Sequence, residues 1–473
     1  MSLQRLQLLC CVILSCLITL LARAQTPEPS VEGFAAALAR FKTSPEFRAS
    51  ESAMQAIQLE YETRDLVLQP IAELSAETIK DDRESYSSVV KDRTDTLGLG
   101  LSKAFSTGTT VRFEPSWERA MLRNATPRER NTVDWEVGIT QSLWRDAFGR
   151  GTRLRWDRQD HERREQLARV LGERAQLLIN FETLYWEWAL AIKEGELRSR
   201  NVKRGQEILR WVRARLRRAA AESTDLLQAR THLTSLEIQL AAIQQKRLQA
   251  AAQMERFVPG SNWRPDAEAL AANRAAEGLL ADWPFDEESQ NLRLELLRVR
   301  NASRAADVRA REVRESIRPE LNLELAYGRN AIDGESTRAL RESYEEDHPY
   351  TSVGVVFRTG LDVGGEYKKV AASRALAESA RQKTEALEAE SKVAWQQLRN
   401  DIQELQARTA QARELVNLQV RKADEERRRY EMGKTTAFQA ITFEQEAAEA
   451  EVDLWYLYAE LRKTEAKARL FAR

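Results

Sequence analysis

The sequence predicts a mainly α-helical fold with a smaller β-sheet part, and three observations lead to this prediction. The 473 residues include only 19 Gly and 11 Pro, while Ala, Glu, Leu, Arg and Gln dominate, which is a composition typical of long helices. Apolar residues recur every three or four positions along most of the chain, as they do on one face of a helix. A few segments instead alternate between apolar and polar residues, as strands with one apolar face do.

The charge balance excludes two classes of protein. The chain has 73 Lys and Arg against 73 Asp and Glu, so its formal net charge is zero. A protein that coats nucleic-acid phosphates normally carries a basic excess, and we therefore expect no nucleic-acid partner. Charged residues make up 31% of the chain and the mean hydropathy is negative, which excludes a bundle of membrane-spanning helices.

The N-terminus predicts a cleaved secretory signal peptide over residues 1–24. Its apolar run, Leu8 to Ala22, is too short to span a membrane comfortably and leads into a small-x-small sequence that ends at Ala24. Cys16 lies in a loose lipobox, but the apolar run continues beyond it, which makes lipidation the weaker interpretation. All three cysteines of the chain lie in this segment, so we expect no disulfide and no thiolate metal site after cleavage.

The rest of the chain predicts two structural repeats, residues 25–257 and 285–473, joined by a link at 258–284. Each repeat contains a helix, then strands at about 97–145 or about 320–362, then two more helices. A coiled-coil-like seam in the last helix of the first repeat has a counterpart in the second repeat. The two seams are Leu226, Ala229, Leu233, Leu236 and Ala440, Phe443, Ala447, Ala450.

The strand segments share one alternating pattern. Positions 133, 135, 137 and 139 are Val, Trp, Val and Ile, with Asp, Glu, Gly and Thr following them in turn. Such alternation fits a soluble antiparallel sheet packed on a helix, and it also fits a membrane barrel with lipid outside and water inside. The long charged segments 119–131 and 330–349 favour the barrel, because a soluble hairpin prefers a tight turn. The residues then predicted to face lipid are Leu97, Leu99, Trp135, Val137, Leu323, Leu325, Val353 and Val355.

These features together resemble the outer membrane efflux proteins, the TolC-like family. The best local match is the stretch from Arg429 to Ile441, which is similar to the family's R-Y-x-x-G-x-x-S/T-x-F-D-V-L turn. An Ala- and Glu-rich final helix follows it, as in the family. The stretch from Ser223 to Ala229 resembles the first-repeat version of the same turn. The resemblance covers nearly all of the chain after the signal peptide.

The resemblance implies a long antiparallel α-helical barrel plus four β-strands per subunit, which contribute to a shared twelve-stranded barrel in a homotrimer. It implies a location in the bacterial cell outer membrane, with a large periplasmic portion. The expected function is the exit duct of a tripartite efflux or type I secretion system. The expected partners are a periplasmic adaptor (membrane fusion) protein and an inner-membrane transporter, which would load substrates for passive conduction. Neither the exported substrate nor the transporter class follows from the sequence.

The resemblance also assigns roles to residues at the two helix turns. It implies a periplasmic gate at Asp225, Tyr430 and Gln439. The hairpin tips that would contact the adaptor are Ala219, Ala220, Gly433, Lys434 and Thr435. For Asp225, the residues alone equally predict an acidic residue in the first turn of a helix, beside the Ser223 and Thr224 cap.

No catalytic, cofactor-binding or metal-binding constellation stands out, so we expect a non-enzymatic protein that needs no cofactor. The sequence Gly433-Lys434-Thr435-Thr436 imitates the end of a phosphate-binding loop. However, Arg428 stands where the first glycine of such a loop would be. The three histidines, at 161, 232 and 348, belong to no H-x-x-x-H pattern. The alternative function is a soluble periplasmic coiled-coil structural or adaptor protein with a small β domain.

Overall fold

A computed structural model describes the chain over residues 30–81, 90–123, 125–218, 222–259, 263–272, 293–345 and 349–471. The predicted signal peptide, the tip residues Ala219 and Ala220, and part of the predicted link at 258–284 therefore lie outside the described residues. The chain divides into two compact units. The helical unit comprises the described residues within Met1–Ser52, Val170–Leu294 and Glu390–Arg473, and the sheet unit comprises those within Ala53–Arg169 and Glu295–Ala389.

Helices account for most of the described chain. They are α1 (Phe34–Phe41), α2 (Pro45–Glu62), α3 (Arg150–Arg217), α4 (Ser223–Phe257), α5 (Leu294–Ser316), α6 (Ser336–Glu345), α7 (Val363–Glu431) and α8 (Ala437–Lys467). Short 3₁₀ turns lie at Thr63–Leu68, Ala147–Gly149, Glu268–Ala271 and Ala468–Phe471. None of the helices in the described part of the chain is both long enough and apolar enough to cross a membrane.

Aromatic side chains form the main core of the helical unit. The rings of Phe41 and Phe181 stack with their centres 4.5 Å apart, and Phe34 stacks on Trp186 at 5.5 Å. The Tyr185 hydroxyl donates a hydrogen bond to the backbone carbonyl of Glu32 at 2.8 Å, so its polar end is satisfied while its ring is buried. Large buried rings thus fix α1 against α3.

The sheet unit contains one antiparallel sheet of six strands. The strands are β2 (Ile71–Lys80), β3 (Lys91–Ala104), β4 (Thr109–Leu122), β5 (Glu129–Ser142), β7 (Glu320–Asp333) and β8 (Pro349–Arg358), hydrogen-bonded in that order. Two short strands, β1 (Ser30–Glu32) and β6 (Trp263–Pro265), pair in parallel within the helical unit.

The expectation of four strands per subunit is wrong, because six strands pair in one sheet. The strand that carried the weakest signal is β2, whose apolar register consists of Ala72, Leu74, Ala76 and Thr78. Small and weakly apolar side chains give little contrast against their polar neighbours, so the alternation of β2 is faint.

The two long charged segments are more ordered than expected. Strand β4 continues to Leu122 and β5 begins at Glu129, so that most of segment 119–131 belongs to strands. Charged pairs extend the ladder there, with the Arg119 Nε 2.9 Å from the Glu129 Oε1. In segment 330–349, β7 runs on to Asp333 and α6 follows it. Cross-strand ion pairs at the loop end therefore add to the backbone ladder in holding the strands together.

Candidate functional site

The turn between α7 and α8 is closed by backbone hydrogen bonds around Gly433. This residue has a φ of 75°, and the amides of Gly433 and Lys434 donate to the carbonyls of Tyr430 and Arg429 at 3.0 and 2.9 Å. Thr436 then caps α8, because its hydroxyl accepts a hydrogen bond from the backbone amide of Gln439 at 3.3 Å. The glycine, the cap and the helix ends thus fit the turn expected from the sequence.

Replacing Gly433 by Ala is expected to lower the free energy of unfolding by about 1–2 kcal/mol, because an L-residue is strained at positive φ. A Cβ added at Gly433 meets no atom within 4 Å, so backbone strain should be the whole effect. The matched control is Gly195→Ala in α3, where an added Cβ also meets nothing. That variant should be neutral or slightly stabilising in urea unfolding. Equal effects at both positions would contradict the prediction.

Tyr430 lies inside the chain rather than on a surface between copies. Only 2% of it is exposed, and it packs in a turn cluster formed by Ile208, Leu209, Val212, Ala229, Tyr430, Ala437, Ala440 and Ile441. The Arg215 guanidinium lies 4.9 Å from the centre of its ring. Burial raises the pKa of the Tyr430 phenol and Asp225 adds to this, while Arg215 opposes it. The phenol therefore stays neutral at physiological pH.

Asp225 and Gln439 each have a local partner in the same chain. The Glu222 amide donates a hydrogen bond to the Asp225 Oδ2 at 3.2 Å, and Glu222 and Asp225 form a capping box at the start of α4. The exposed Gln439 accepts a hydrogen bond from the Thr435 hydroxyl at 2.5 Å. Asp225 thus lies close enough to Tyr430 to influence its pKa. The Gln439 side chain instead forms its hydrogen bond within the turn between α7 and α8.

Sequence reasoning missed a buried charge next to this turn. Glu444 is only 6% exposed and lies 3.4 Å from Arg204 and 3.5 Å from Arg427, measured between carboxylate oxygen and guanidinium nitrogen. Burial raises the pKa of Glu444, and the two arginines oppose this shift. In a chain rich in Arg and Glu, one buried carboxylate carries no distinguishing sequence signal. Arg215 was missed for the same reason.

The eight residues predicted to face lipid all lie on one face of the six-stranded sheet. Across it, Leu325 pairs with Val353 and with Ile139, and Leu323 pairs with Val355. Several of these side chains are largely exposed in the single chain, with Val353 at 71% and Val355 at 64%. The sheet thus presents a broad apolar surface, which in a water-soluble monomer would be a site of association.

Helix α6 packs on part of this apolar face, near the loop end of the sheet. The Trp135 Nε1 donates a hydrogen bond to the Ser343 carbonyl at 3.1 Å, and its ring stacks on Tyr344 with centres 6.1 Å apart. Trp135 therefore contacts protein as well as the surrounding medium, unlike Val353 and Val355 at the edge strand.

The opposite face of the sheet is polar and predominantly acidic. Its carboxylates are Glu73, Glu77, Glu114, Glu118, Asp134, Glu136, Glu320 and Glu324, and its cationic groups are Lys91, Arg112, Arg130 and Arg358. Tyr350 donates a hydrogen bond to Glu136 on this face. Within the described ranges, no group of three or more His, Cys, Asp or Glu residues is placed to hold a metal ion. The face is therefore suited to contact with water.

Several solved structures of membrane proteins share this fold. The chain resembles the outer-membrane channel OprN at 13% identity and a TM-score of 0.63, over 94% of this chain and 93% of that one. It resembles the outer membrane protein VceC from Vibrio cholerae at 13% identity and a TM-score of 0.64, over 92% of this chain and 94% of that one. It resembles CusC, whose transmembrane channel formation has been described, at 12% identity and a TM-score of 0.65, over 92% of this chain and 91% of that one.

No model of a known protein family matches the sequence, and no curated protein is similar to it. At such low identity the structural likeness establishes the fold. The TolC-like resemblance expected from the turn motif and the repeated order of elements is confirmed at this level.

Proposed function

We propose that this chain, which has the fold of outer membrane efflux channels, is the outer membrane exit duct of a tripartite efflux or type I secretion system. It would act as a homotrimer, without enzymatic activity or cofactor. An inner-membrane transporter and a periplasmic adaptor protein would supply substrates, which the duct conducts passively to the exterior. The turn residues Gly433, Lys434 and Thr435, with Ala219 and Ala220, are the proposed adaptor contacts.

The observation that carries this proposal is the six-stranded sheet with one apolar and one acidic face. A sheet of this kind can stand between lipid and water only if it closes on itself, since exposed strand edges are not tolerated in a bilayer. If the protein were instead a soluble periplasmic coiled-coil protein, the part of the apolar face that α6 does not cover would be exposed to water.

Purification and planar-bilayer recording test the proposal. The duct requires a detergent-dependent trimer that changes mobility on heating and conducts ions once inserted in a bilayer. Release of the protein by osmotic shock, as a species that stays monodisperse without detergent, would support the soluble coiled-coil protein and overturn the duct.

The duct is expected to prefer cations, because carboxylates outnumber cationic side chains on the polar face of the sheet. Glu114→Gln with Glu324→Gln should reduce the ratio of cation to anion permeability, measured from reversal potentials in a salt gradient. The charge-retaining control, Glu114→Asp with Glu324→Asp, should keep the wild-type ratio. An unchanged ratio in the glutamine variant would remove this face from the conduction path.

Asp225 and Tyr430 are proposed to help hold the entrance shut, in addition to their capping and packing roles. The support is their shared electrostatic environment beside the helix turn, with Arg215 against the Tyr430 ring. Asp225→Ala combined with Tyr430→Phe should raise single-channel conductance, because it removes one charged and one neutral hydrogen-bonding group. Wild-type conductance in this variant would leave the two residues with structural roles alone.

A further inference from the structure

The two edges of the six-stranded sheet match each other in length and exposure. Strands β2 and β8 are ten residues each, and nearly all of their residues are exposed in the single chain. In the described part of the chain, each pairs with a strand on one side only. Every backbone amide and carbonyl inside a bilayer needs a partner. A sheet that lies in the membrane, as the proposed function has it, must therefore cover both edges.

The strands are staggered as in a barrel. The line of paired residues that starts at Ile71 in β2 crosses Ser102, Arg112, Gly138 and Ala326 and reaches Ser352 in β8. Ile71 is the residue of β2 nearest the helices, but β8 continues toward them for six more residues, to Arg358. The helix-side ends of β2 and β8 are thus offset by six residues across the sheet.

This stagger gives the strand tilt of a membrane barrel. If the offset of six residues is spread over the five steps between strands of one copy and the sixth step to the next copy, the shift is one residue per strand. With a rise of about 3.3 Å per residue and a strand spacing of about 4.8 Å, this corresponds to a tilt of about 35°. Membrane barrels have tilts of about 35–45°. The sheet of one copy is therefore already sheared as an arc of a closed barrel requires.

The same shift makes the two edges fit each other. If β8 of one copy pairs antiparallel with β2 of the next and the shift of six residues is maintained, Arg358 lies opposite Ile71 and Pro349 lies opposite Lys80. The two ten-residue strands then overlap over their full lengths. Apolar residues meet apolar residues in this register, since Val355 lies opposite Leu74. Both faces of the sheet therefore continue across the junction.

We propose that β8 of each copy pairs with β2 of the next, so that three copies close a barrel of eighteen strands. The inference rests on the proposed function, which supplies the membrane and the trimer, and it replaces the twelve strands implied by the family resemblance. One copy cannot close alone, because membrane barrels have at least about eight strands.

The first half of the chain supplies the additional strands. Between its helices, the described residues of the stretch 69–149 form four strands, whereas those of the corresponding stretch 317–362 form two. The hairpin of β2 and β3 starts and ends on the helix side of the sheet, where the Lys103 ammonium donates a hydrogen bond to the Leu68 carbonyl at 2.5 Å. Such a hairpin can be added to a sheet without changing the direction of any other strand.

The strand number sets the size of the exit. At a tilt of about 35°, a backbone cylinder of eighteen strands is about 34 Å across, whereas one of twelve strands is about 23 Å across. Barrels of about 16–18 strands leave an open aqueous channel. The duct is therefore suited to cargo bulkier than a twelve-stranded exit admits, such as partly folded polypeptides.

Cysteine cross-linking between copies tests the pairing. All natural cysteines lie in the predicted signal peptide, so Leu74→Cys with Val355→Cys introduces the only thiols of the processed chain. Oxidation should link each copy to both neighbours and give a covalent trimer on denaturing gels, while each single variant stays monomeric there. The alternative pair, Phe113→Cys with Val355→Cys, should not link, because two strands intervene and separate the thiols by about 14 Å.

The outcomes separate this inference from the proposed function. Linkage through Phe113 would place the β2–β3 hairpin outside the barrel, and a covalent dimer would mean closure by two copies. A native trimer without linkage at Leu74 would likewise overturn the inference while leaving the duct intact. A covalent trimer that conducts no ions would instead support the proposed strand pairing and refute the proposed function as an exit duct.

Excision of the hairpin provides a second test. Removing residues 69–105 and joining Leu68 to Ser106 leaves four strands per copy and should narrow the barrel. Polyethylene glycols of graded size, added on the loop side of the sheet in bilayer recordings, should then be excluded at a smaller size than in the wild-type protein. The same size limit in both proteins would overturn the inference.

Discussion

Replacing Tyr430 by Ala is expected to destabilise the helical unit by about 3–5 kcal/mol, the usual cost of deleting a buried aromatic ring. Tyr430 is 2% exposed and packs against the buried side chains of α3, α4 and α8 that form the turn cluster. Its loss would leave a cavity and an uncovered Arg215, whose guanidinium lies over the ring. The connection between α7 and α8 should therefore loosen.

Urea unfolding followed by circular dichroism measures this effect, and Tyr430→Phe is the matched control. The phenylalanine keeps the ring and removes only the hydroxyl, so its cost should be about 0.5–1.5 kcal/mol. If the alanine and phenylalanine variants lose the same stability, the hydroxyl rather than the buried ring holds the turn, and the packing role assigned to Tyr430 is wrong.

Replacing Leu325 by Arg is expected to cost about 2–4 kcal/mol in a lipid-embedded sheet, because a guanidinium group would enter the apolar part of the bilayer. Leu325 lies between Ile139 and Val353 on the apolar face. The variant should form fewer heat-resistant trimers, and its free energy of unfolding from lipid vesicles should fall by this amount.

The control for this prediction is Glu324→Arg, which introduces the same side chain one residue away on the opposite face of β7. A water-filled interior would solvate it, so the trimer yield should stay close to that of the wild type. Equal losses in the two variants would mean that both faces meet the same medium, which would contradict the assignment of the apolar face to lipid.

The sequence by itself determined the local features of the protein, because they follow from repeating patterns along the chain. The predicted coiled-coil-like seams that begin at Leu226 and at Ala440 each lie within a single helix, α4 and α8. The apolar register of the strands also lies on one face, as the alternation indicated. Glycine at 433 likewise marks a turn that requires a positive φ.

Only the tertiary structure decided which segments pair, how far they shift and which polar groups are buried. Strand β2 has a weak pattern and is fixed by its ladder with β3, and the burial of Glu444 depends on arginines from two other helices. The stagger of six residues across the sheet is a sum of pairings between distant segments. Periodicity specifies which face of an element is apolar, but its partners and register depend on long-range contacts that a local pattern does not contain.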